Sequence, residues 1–309
     1  MRARVIVAGA TTAILWVSTA LAGAFTPVNV LSGPASEQDP HGNGTYLLWY
    51  QNSTAYPRRY NVYASDDAGA TRFKLNRAGT RGYTGDVVQG GTEAIYQEVG
   101  NSSNIQLIDL ATRIRSDPPA GINTAAWEWA PRLSNDYILF QRDKLGTRRR
   151  LLILHDRLAG SNLTLVDANM DRVWLYPYHV GTTYATWERL GADRWTAWIY
   201  EIATTERTSI PTANARAQYA PVVDEINGNA YWVRGGNNCG GNVRILRAPL
   251  SSLGSPEVIT TLPAGIDAYT LSLEQDTANA RMDLLFTRVR CAVHKSDIYE
   301  VQGVDDLVA

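Results

Sequence analysis

Short apolar strands that end in an aromatic residue recur along the chain. Six of them can be recognised: Leu48-Trp49-Tyr50-Gln51, Ala94-Ile95-Tyr96-Gln97, Ile138-Leu139-Phe140-Gln141, Ala185-Thr186-Trp187-Glu188, Ala230-Tyr231-Trp232-Val233 and Leu284-Leu285-Phe286-Thr287. With the aromatics at 50, 96, 140, 187, 232 and 286 taken as equivalent, the steps are 46, 44, 47, 45 and 54 residues. A near-constant period of this length is the signature of a repeat architecture.

Each repeat contains further strands in a fixed order. A second strand of alternating character follows the aromatic by 12 to 14 residues, as in Val62-Tyr63 and Ile298-Tyr299, and polar turn residues separate the two. An inner strand precedes each unit and an outer strand follows most of them. Four strands in each of six repeats predict an all-β fold, a six-bladed β-propeller, because propeller blades are four-stranded sheets of about 40 to 50 residues.

The spacing also predicts the boundaries of the ring. The propeller covers residues 25–302, with blades near 36–76, 82–116, 124–167, 172–211, 217–261 and 266–302, and residues 303–309 form a tail. The sixth unit supplies three strands, while the segment 26–31 has no blade of its own. We therefore expect 26–31 to complete the last blade, which closes the ring and leaves no bare strand edge.

The N-terminus predicts export. Arg2 and Arg4 precede an uncharged apolar run from Val5 to Leu21, and Ala20-Leu21-Ala22 resembles a cleavage site, so residues 1–24 are read as a signal peptide. The alternative, a retained membrane anchor, is disfavoured by the polar residues within the run. No Cys follows it to carry a lipid. We expect a secreted or periplasmic protein that is monomeric and does not associate with a membrane after cleavage.

The two cysteines occupy matching places in the repeat. Cys239 falls in the turn between the second and third strands of blade five, and Cys291 falls in the equivalent turn of blade six. Such turns project from the same face of the ring, and an oxidising compartment favours one bridge between them. The alternative is two unrelated buried thiols.

The repeat in blade three resembles that of the TolB family. The segments that carry the resemblance are Trp129-Ala130-Pro131, Tyr137 to Asp143, Gly146 and Leu151 to Leu154, and Asp297-Ile298-Tyr299 matches the last element of the family's repeat. The resemblance is weak and extends over about 270 residues. The family's Asp-Gly turn after its Pro is missing here, as is room for its N-terminal α/β domain. The resemblance therefore implies the fold and says little about membership in the Tol system.

Composition narrows the function further. The net charge of −1 gives no indication of a nucleic-acid partner. No Gly-x-Ser-x-Gly elbow is present, and the four His, at 41, 155, 179 and 294, show no close metal-ligand spacing, so no cofactor or metal is expected. Asp66-Asp67-x-Gly69 could be a fragment of a calcium loop but stands where a hairpin turn is required.

The starts of the inner strands should meet at one mouth of the central channel. These positions hold carboxylates and aromatics, namely Asp39, Asp86, Glu128, Trp129, Tyr176, Tyr219, Asp267 and Tyr269. Aromatic faces stack on sugars, and paired carboxylates can serve glycoside chemistry; the alternative is that the rings pack between blades and the acids cap turns. We therefore expect a non-enzymatic binding or scaffold module for a protein or glycan partner. The alternative is a carbohydrate-active enzyme, a hydrolase or lyase, that uses these carboxylates.

Overall fold

A computed structural model describes residues 25, 27–52, 60–66, 71–170, 174–191, 194–211, 216–235 and 242–307, with the side chains of all of these except 174 and 177. The predicted signal peptide, residues 1–24, lies outside the described residues. The described part of the chain contains no apolar helix of membrane-spanning length. Its strands form six antiparallel sheets of four strands each, arranged as the blades of a propeller.

The first three blades follow one another along the chain. Blade one is β2 (Glu37–Gly42), β3 (Leu47–Asn52), β4 (Tyr60–Ser65) and β5 (Arg72–Lys74). Blade two is β6 (Arg81–Val87), β7 (Glu93–Val99), β8 (Ser103–Asp109) and β9 (Ile114–Ser116). Blade three is β10 (Glu128–Leu133), β11 (Tyr137–Lys144), β12 (Arg149–Asp156) and β13 (Ser161–Asn169).

The remaining blades have the same order. Blade four is β14 (Trp174–Val180), β15 (Tyr184–Leu190), β16 (Trp195–Glu201) and β17 (Glu206–Ser209). Blade five is β18 (Ala217–Asp224), β19 (Asn229–Gly235), β20 (Arg244–Pro249) and β21 (Glu257–Thr261). Blade six is β22 (Ile266–Asp276), β23 (Arg281–Arg290), β24 (Lys295–Asp306) and, on its outer edge, β1 (Val28–Leu31). The sequence analysis thus predicted the fold class, the six blades and their strand order.

The last blade differs from the others in length. β22, β23 and β24 contain 11, 10 and 12 residues. The long step into this blade reflects the long β22 together with longer connections on either side of β20, the second of which contains a short 3-10 helix, Leu250–Ser252. β24 continues to Asp306, four residues beyond the predicted end of the blade. β1 pairs antiparallel with β24, with Val28 opposite Glu300 and Leu31 opposite Ile298.

The core lies between the blades and is centred on one aromatic per second strand. These residues are Trp49, Tyr96, Phe140, Trp187, Trp232 and Phe286, each at most 2% exposed. The strand register shows that Trp49, not Tyr50, is the blade-one equivalent of Tyr96, because Leu48 pairs with His41 as Ile95 pairs with Asp86. The first two steps of the repeat are therefore 47 and 44 residues. Because Trp49 takes the core position in blade one, the side chain of Tyr50 faces the channel instead.

Every inner strand carries a β-bulge near its middle. The register shifts lie between residues 38 and 41, 83 and 85, 129 and 132, 177 and 179, 219 and 222, and 269 and 271. At four of these bulges a non-glycine residue has a positive φ: Asp39 (53°), Ala130 (45°), Ala220 (52°) and Thr270 (49°). A bulge inserts one residue and re-aims the side chains on either side of it. The bulges thus decide which inner-strand residues reach the channel.

Candidate binding cavity at the channel mouth

A layer of mainly polar side chains lies at the centre of the ring. On each inner strand, the first or second residue past the bulge pairs with the residue before a core aromatic, so these positions are equivalent in all six blades: His41, Asp86, Arg132, His179, Val222 and Ser272, of which only Val222 is apolar. Ser272 donates its hydroxyl to the carbonyl of Pro40 at 2.7 Å, which links blade six to blade one. We call these six residues the channel layer.

Arg132 is the centre of the channel layer and is 2% exposed. Its Nη2 donates to both carboxylate oxygens of Asp39, at 3.0 and 3.2 Å. Its Nε donates to the carbonyl of Tyr178 at 3.2 Å, and Nη1 donates to the carbonyls of Gly85 and Pro131. A guanidinium out of water requires such a full set of acceptors. Arg132 therefore connects blades one to four across the channel.

His41 lies between two carboxylates. Its Nε2 is 3.4 Å from Asp39 Oδ1, and its Nδ1 is 3.0 Å from Asp86 Oδ1. Burial and Arg132 both oppose a charge on this ring, but Asp86 and Asp39 outweigh them and raise the pKa of His41. Burial alone would raise the pKa of both Asp39 and Asp86. Arg132 and His41 lower the pKa of Asp39 below its ordinary value, and His41 does the same for Asp86. With His41 protonated, the positive charges of Arg132 and His41 balance the negative charges of Asp39 and Asp86.

On one side of the channel layer lies a cavity of about 710 Å³, which we call the wide mouth. Five of the predicted channel-mouth residues line it: Asp39, Tyr176, Tyr219, Asp267 and Tyr269. Tyr176 and Tyr269 are 38% and 40% exposed, and Tyr219 is 6% exposed. The structure therefore brings a majority of the predicted residues, from blades one, four, five and six, to one place.

Asp86 faces the other side of the channel layer. It lines a smaller cavity of about 190 Å³, the narrow mouth, together with His179 and Glu225. Its carboxylate accepts the backbone N–H groups of Leu133 and Val87, each at 2.9 Å. Burial lowers the pKa of His179, and within the described residues its Nε2 has no hydrogen-bond partner. The bulge in β6 precedes Asp86, whereas Asp39 is itself a bulge residue, so the two acids are not equivalent.

Glu128 and Trp129 lie on blade three outside the lining of both cavities. Glu128 is fully buried and accepts hydrogen bonds from Arg142 at 3.0 Å and Thr124 at 2.8 Å. Trp129 packs against Trp127, with ring centroids 5.3 Å apart, and the Arg150 guanidinium lies over its ring. For these two residues the structure shows the packing and hydrogen-bonding role that the sequence left open as the alternative.

Two acids in the wide mouth have only uncharged donors. Asp267 accepts the Tyr219 hydroxyl and the N–H of Ala268, each at 2.8 Å. Glu188 is 4% exposed and accepts the N–H of Ala220 at 2.9 Å. Burial raises the pKa of Glu188 to about 8 against the lowering effect of the Ala220 N–H and the Tyr178 hydroxyl. Glu188 is therefore a neutral carboxylic acid at pH 7.

The wide mouth also contains residues that the sequence analysis did not select: Tyr50, Arg132, Tyr178, Glu188 and Trp195. Trp195 packs against Tyr176 with ring centroids 6.0 Å apart, and Tyr219 against Tyr269 at 6.3 Å. Glu188 follows a core aromatic directly and pairs with Tyr176 in the register of β14 and β15. The position directly after a core aromatic is the sequence signal that could have identified Glu188.

Several predictions about chemistry fall wholly or partly outside the described residues. Cys239 lies outside them, and Cys291 lies in the turn between β23 and β24, so the disulfide stays a prediction. Asp67 and Gly69 of the calcium-like segment also lie outside. In the described part of the chain no group of three or more His, Cys, Asp or Glu residues could hold a metal ion.

Comparison with known proteins identifies relatives of the fold. No protein-family model matches the chain, and no curated protein matches it. Among solved structures, TolB from Acinetobacter baumannii superposes with a TM-score of 0.56 at 11% identity, over 86% of this chain and 65% of that one. This chain therefore spans less than two thirds of that TolB.

Two further structures have the same fold. A putative TolB from Agrobacterium tumefaciens gives a TM-score of 0.56 at 12% identity, over 89% of this chain and 96% of that one. An oligogalacturonate lyase from Vibrio parahaemolyticus gives 0.54 at 11% identity, over 89% and 81%. At such identities the similarity concerns the fold. The protein is a six-bladed β-propeller whose fold is similar to that of the TolB propeller, as its repeat suggested.

Proposed function

We propose that this protein is an exported, non-enzymatic binding module whose wide mouth receives a segment of a protein or glycan partner. The observation that carries the proposal is the cavity of about 710 Å³, which is lined by aromatic side chains and by the ion pair of Arg132 and Asp39. Ligand sites are typically concave, largely apolar and about 300–1,000 Å³ in volume, with a few convergent polar groups. The wide mouth has each of these properties.

The state of the acids supports binding rather than catalysis. Asp39 is held by Arg132, Asp267 by the Tyr219 hydroxyl, and Glu128 by Arg142. A general base needs a lone pair that can reach the substrate. These carboxylates already accept hydrogen bonds from the fold, so their first role is to position Tyr219, Arg132 and the bulged strands.

Export is part of the proposal and rests on the N-terminal sequence. The basic start, the apolar run to Leu21 and the small residues that follow favour cleavage near residue 22. Mass spectrometry of the mature N-terminus tests this directly. In the same sample, denatured and unreduced protein should contain no free thiol if Cys239 and Cys291 are bridged, and two free thiols would contradict the bridge.

A second candidate function is carbohydrate chemistry, and one observation favours it. Glu188 is protonated at neutral pH in the same aromatic-lined cavity that holds Asp267. Glycosidases pair an acid of raised pKa with a second carboxyl group, and an oligogalacturonate lyase shares the fold. Incubation with oligogalacturonate and aryl glycosides tests it. Turnover that Glu188→Gln abolishes would show that the protein is an enzyme and would overturn the binding proposal.

The binding proposal is tested with peptide and glycan arrays probed by three proteins. These are the wild type, Tyr269→Ala at the rim of the wide mouth, and Ile114→Ala on the outer strand β9, where Ile114 is 67% exposed. We expect array ligands whose binding Tyr269→Ala weakens at least tenfold and Ile114→Ala leaves unchanged. Ligands that are insensitive to Tyr269→Ala, or an absence of ligands on both arrays, would contradict the proposal.

A further inference from the structure

The charges that line the wide mouth are unbalanced. Three carboxyl groups face it, on Asp39, Glu188 and Asp267, and among its described lining residues Arg132 is the only Lys or Arg. Arg132 is fully engaged by Asp39 and three backbone carbonyls. Glu188 and Asp267 have no cationic partner in the described residues, since their hydrogen-bond donors are tyrosine hydroxyls and backbone N–H groups. The cavity therefore offers two carboxyl groups without a cationic partner, those of Glu188 and Asp267, to whatever enters it.

Aromatic rings surround these two carboxyl groups. Burial first, and then the carboxylate of Glu188, raise the pKa of both Tyr176 and Tyr178. Burial and Asp267 raise the pKa of Tyr269 to about 12, and Glu188 adds to the effect. Burial, Asp267 and Glu188 also raise the pKa of Tyr219. Glu188 thus acts electrostatically on four tyrosines from blades four, five and six. Two of these rings, Tyr176 and Tyr269, are open to solvent.

Aromatic faces and carboxylates together select organic cations. The negative face of an aromatic ring attracts an ammonium or guanidinium group, by about 0.5–2 kcal/mol per contact, and cages of such rings hold quaternary ammonium ligands. A neutral sugar also stacks on aromatic rings and can donate its hydroxyls to carboxyl groups, but it gains no attraction between opposite charges from them. The charge imbalance therefore discriminates between the two kinds of ligand.

We propose that the wide mouth binds an organic ammonium or guanidinium group, held against the rings of Tyr176 and Tyr269 with Glu188 and Asp267 as counter-ions. The proposal rests on the proposed function and specifies the ligand class of that site. The cation belongs either to a Lys or Arg side chain of a partner peptide or to a free ammonium compound, and the two sources share this chemistry.

Binding of a cation should release a proton. Glu188 is protonated in the free protein at neutral pH, and a cation beside it favours the carboxylate, so the proton passes to the buffer. The groups that face Glu188 are Tyr176 and Tyr178 from β14, Tyr219 and the Ala220 N–H from β18, and Tyr269 from β22. The other titratable or charged groups that line the same cavity are Asp39, Arg132, Asp267 and His294.

The test uses isothermal titration calorimetry with choline and its neutral isostere 3,3-dimethylbutan-1-ol. We expect choline to bind and the alcohol to bind at least tenfold more weakly. The affinity for choline should rise on the order of tenfold from pH 6.5 to pH 8.5, since each unit of pKa shift in the complex changes the affinity tenfold. Titrations at pH 7 in phosphate and in Tris should give different heats, because the buffer takes up the released proton. The difference should correspond to close to one proton for each choline bound.

Matched variants assign the effect to Glu188. Glu188→Gln should weaken choline binding about tenfold and abolish both the pH dependence and the proton release. The control is Glu274→Gln, which removes a half-buried acid with a pKa of about 7 that accepts the N–H of Gly44 and lies outside the wide mouth. This control should bind choline like the wild type.

The arms of the experiment separate the outcomes. Equal affinity for choline and the alcohol, or pH dependence that survives Glu188→Gln, overturns the cation proposal. Binding of Nα-acetyl-lysine amide in place of choline identifies a peptide as the source of the cation. Array binding of neutral glycans that requires Tyr269, with no cation binding, overturns this proposal and leaves the proposed function standing. No binding of any probe overturns both.

Discussion

Arg132 and Asp39, which are 93 residues apart in the sequence, form a buried ion pair across the centre of the ring. Asp39 has a φ of 53° at the bulge of β2, and its N–H donates to Thr287 of blade six. Asp39 thus joins the first blade both to the third blade and to the last. We infer that this pair fixes the relative positions of the inner strands and forms the floor of the wide mouth.

Asp39→Asn should destabilise the protein by about 3–5 kcal/mol, because it leaves the Arg132 guanidinium buried without its counter-ion. Asn tolerates a positive φ, so the backbone at the bulge is preserved. Urea unfolding followed by tryptophan fluorescence measures the change. The matched control is Asp167→Asn, which breaks a pair with Arg149 that is 34% and 44% exposed and should cost less than about 1 kcal/mol. Similar losses in the two variants would contradict the account.

Stability should fall as the pH rises from 5 to 8. Glu188 has a folded pKa of about 8 against an unfolded value of 4.5, so between these values unfolding releases its proton and becomes easier as pH rises. The raised pKa of His41 acts in the same direction, since its contribution is present below its unfolded pKa and is lost as pH rises through the folded value. Glu188→Gln should reduce the slope of stability against pH by about 1.4 kcal/mol per unit in this range.

The predicted slope of stability against pH has an internal control, and it reverses at low pH. Glu37 and Glu274, whose pKa values are raised to about 7, contribute equally in the wild type and in Glu188→Gln, so the difference between the two proteins isolates Glu188. Below pH 4 the lowered pKa values of Asp39 and Asp86 reverse the trend, and stability should be lost as pH falls. Identical pH profiles for the two proteins between pH 5 and 8 would be inconsistent with a protonated Glu188.

Ala220→Gly should cost about 1 kcal/mol less stability than the same change at Ala230, because both alanines are fully buried but only Ala220 has a positive φ. Ala220 has a φ of 52°, a conformation that strains an L side chain and that glycine adopts freely. Its N–H, which donates to Glu188, is retained. The control is Ala230→Gly, a buried position within β19, where the same change should destabilise by about 1 kcal/mol. Chemical unfolding of both variants decides the matter, and equal losses of stability in the two would show that the bulge is not strained.

A chain that begins at residue 33 lacks β1 and should be less stable than one that begins at residue 25. Val30 and Leu31 pack against a cluster that includes Trp49 and Ile298, and their loss should cost about 2–3 kcal/mol. The exposed edge of β24 should also promote self-association, which sedimentation measures. Val28→Ser, at a position 48% exposed, is the control that should change little. Equal stability of the two chains would show that β1 does not secure the ring.

The sequence predicted the fold because a propeller depends on local patterns repeated at a fixed period. It predicted the site only in part, because the inner-strand bulges do not alter that period. One inserted residue places Asp86 on the far side of Arg132 from Asp39, although the spacing of the strands makes them look equivalent. Glu188 was missed for a related reason: whether the residue after Trp187 faces core or channel depends on register. Trp129 resembles Tyr219 in sequence, but it packs against Trp127.

A crystal structure of the protein with the tightest ligand from the arrays tests the central claim, that the wide mouth is the binding site, most directly. The account predicts ligand density between the rings of Tyr176 and Tyr269, above Glu188, with the pair of Arg132 and Asp39 intact beneath it. Density at the narrow mouth or on the outer strands, with the wide mouth filled only by solvent, would contradict it.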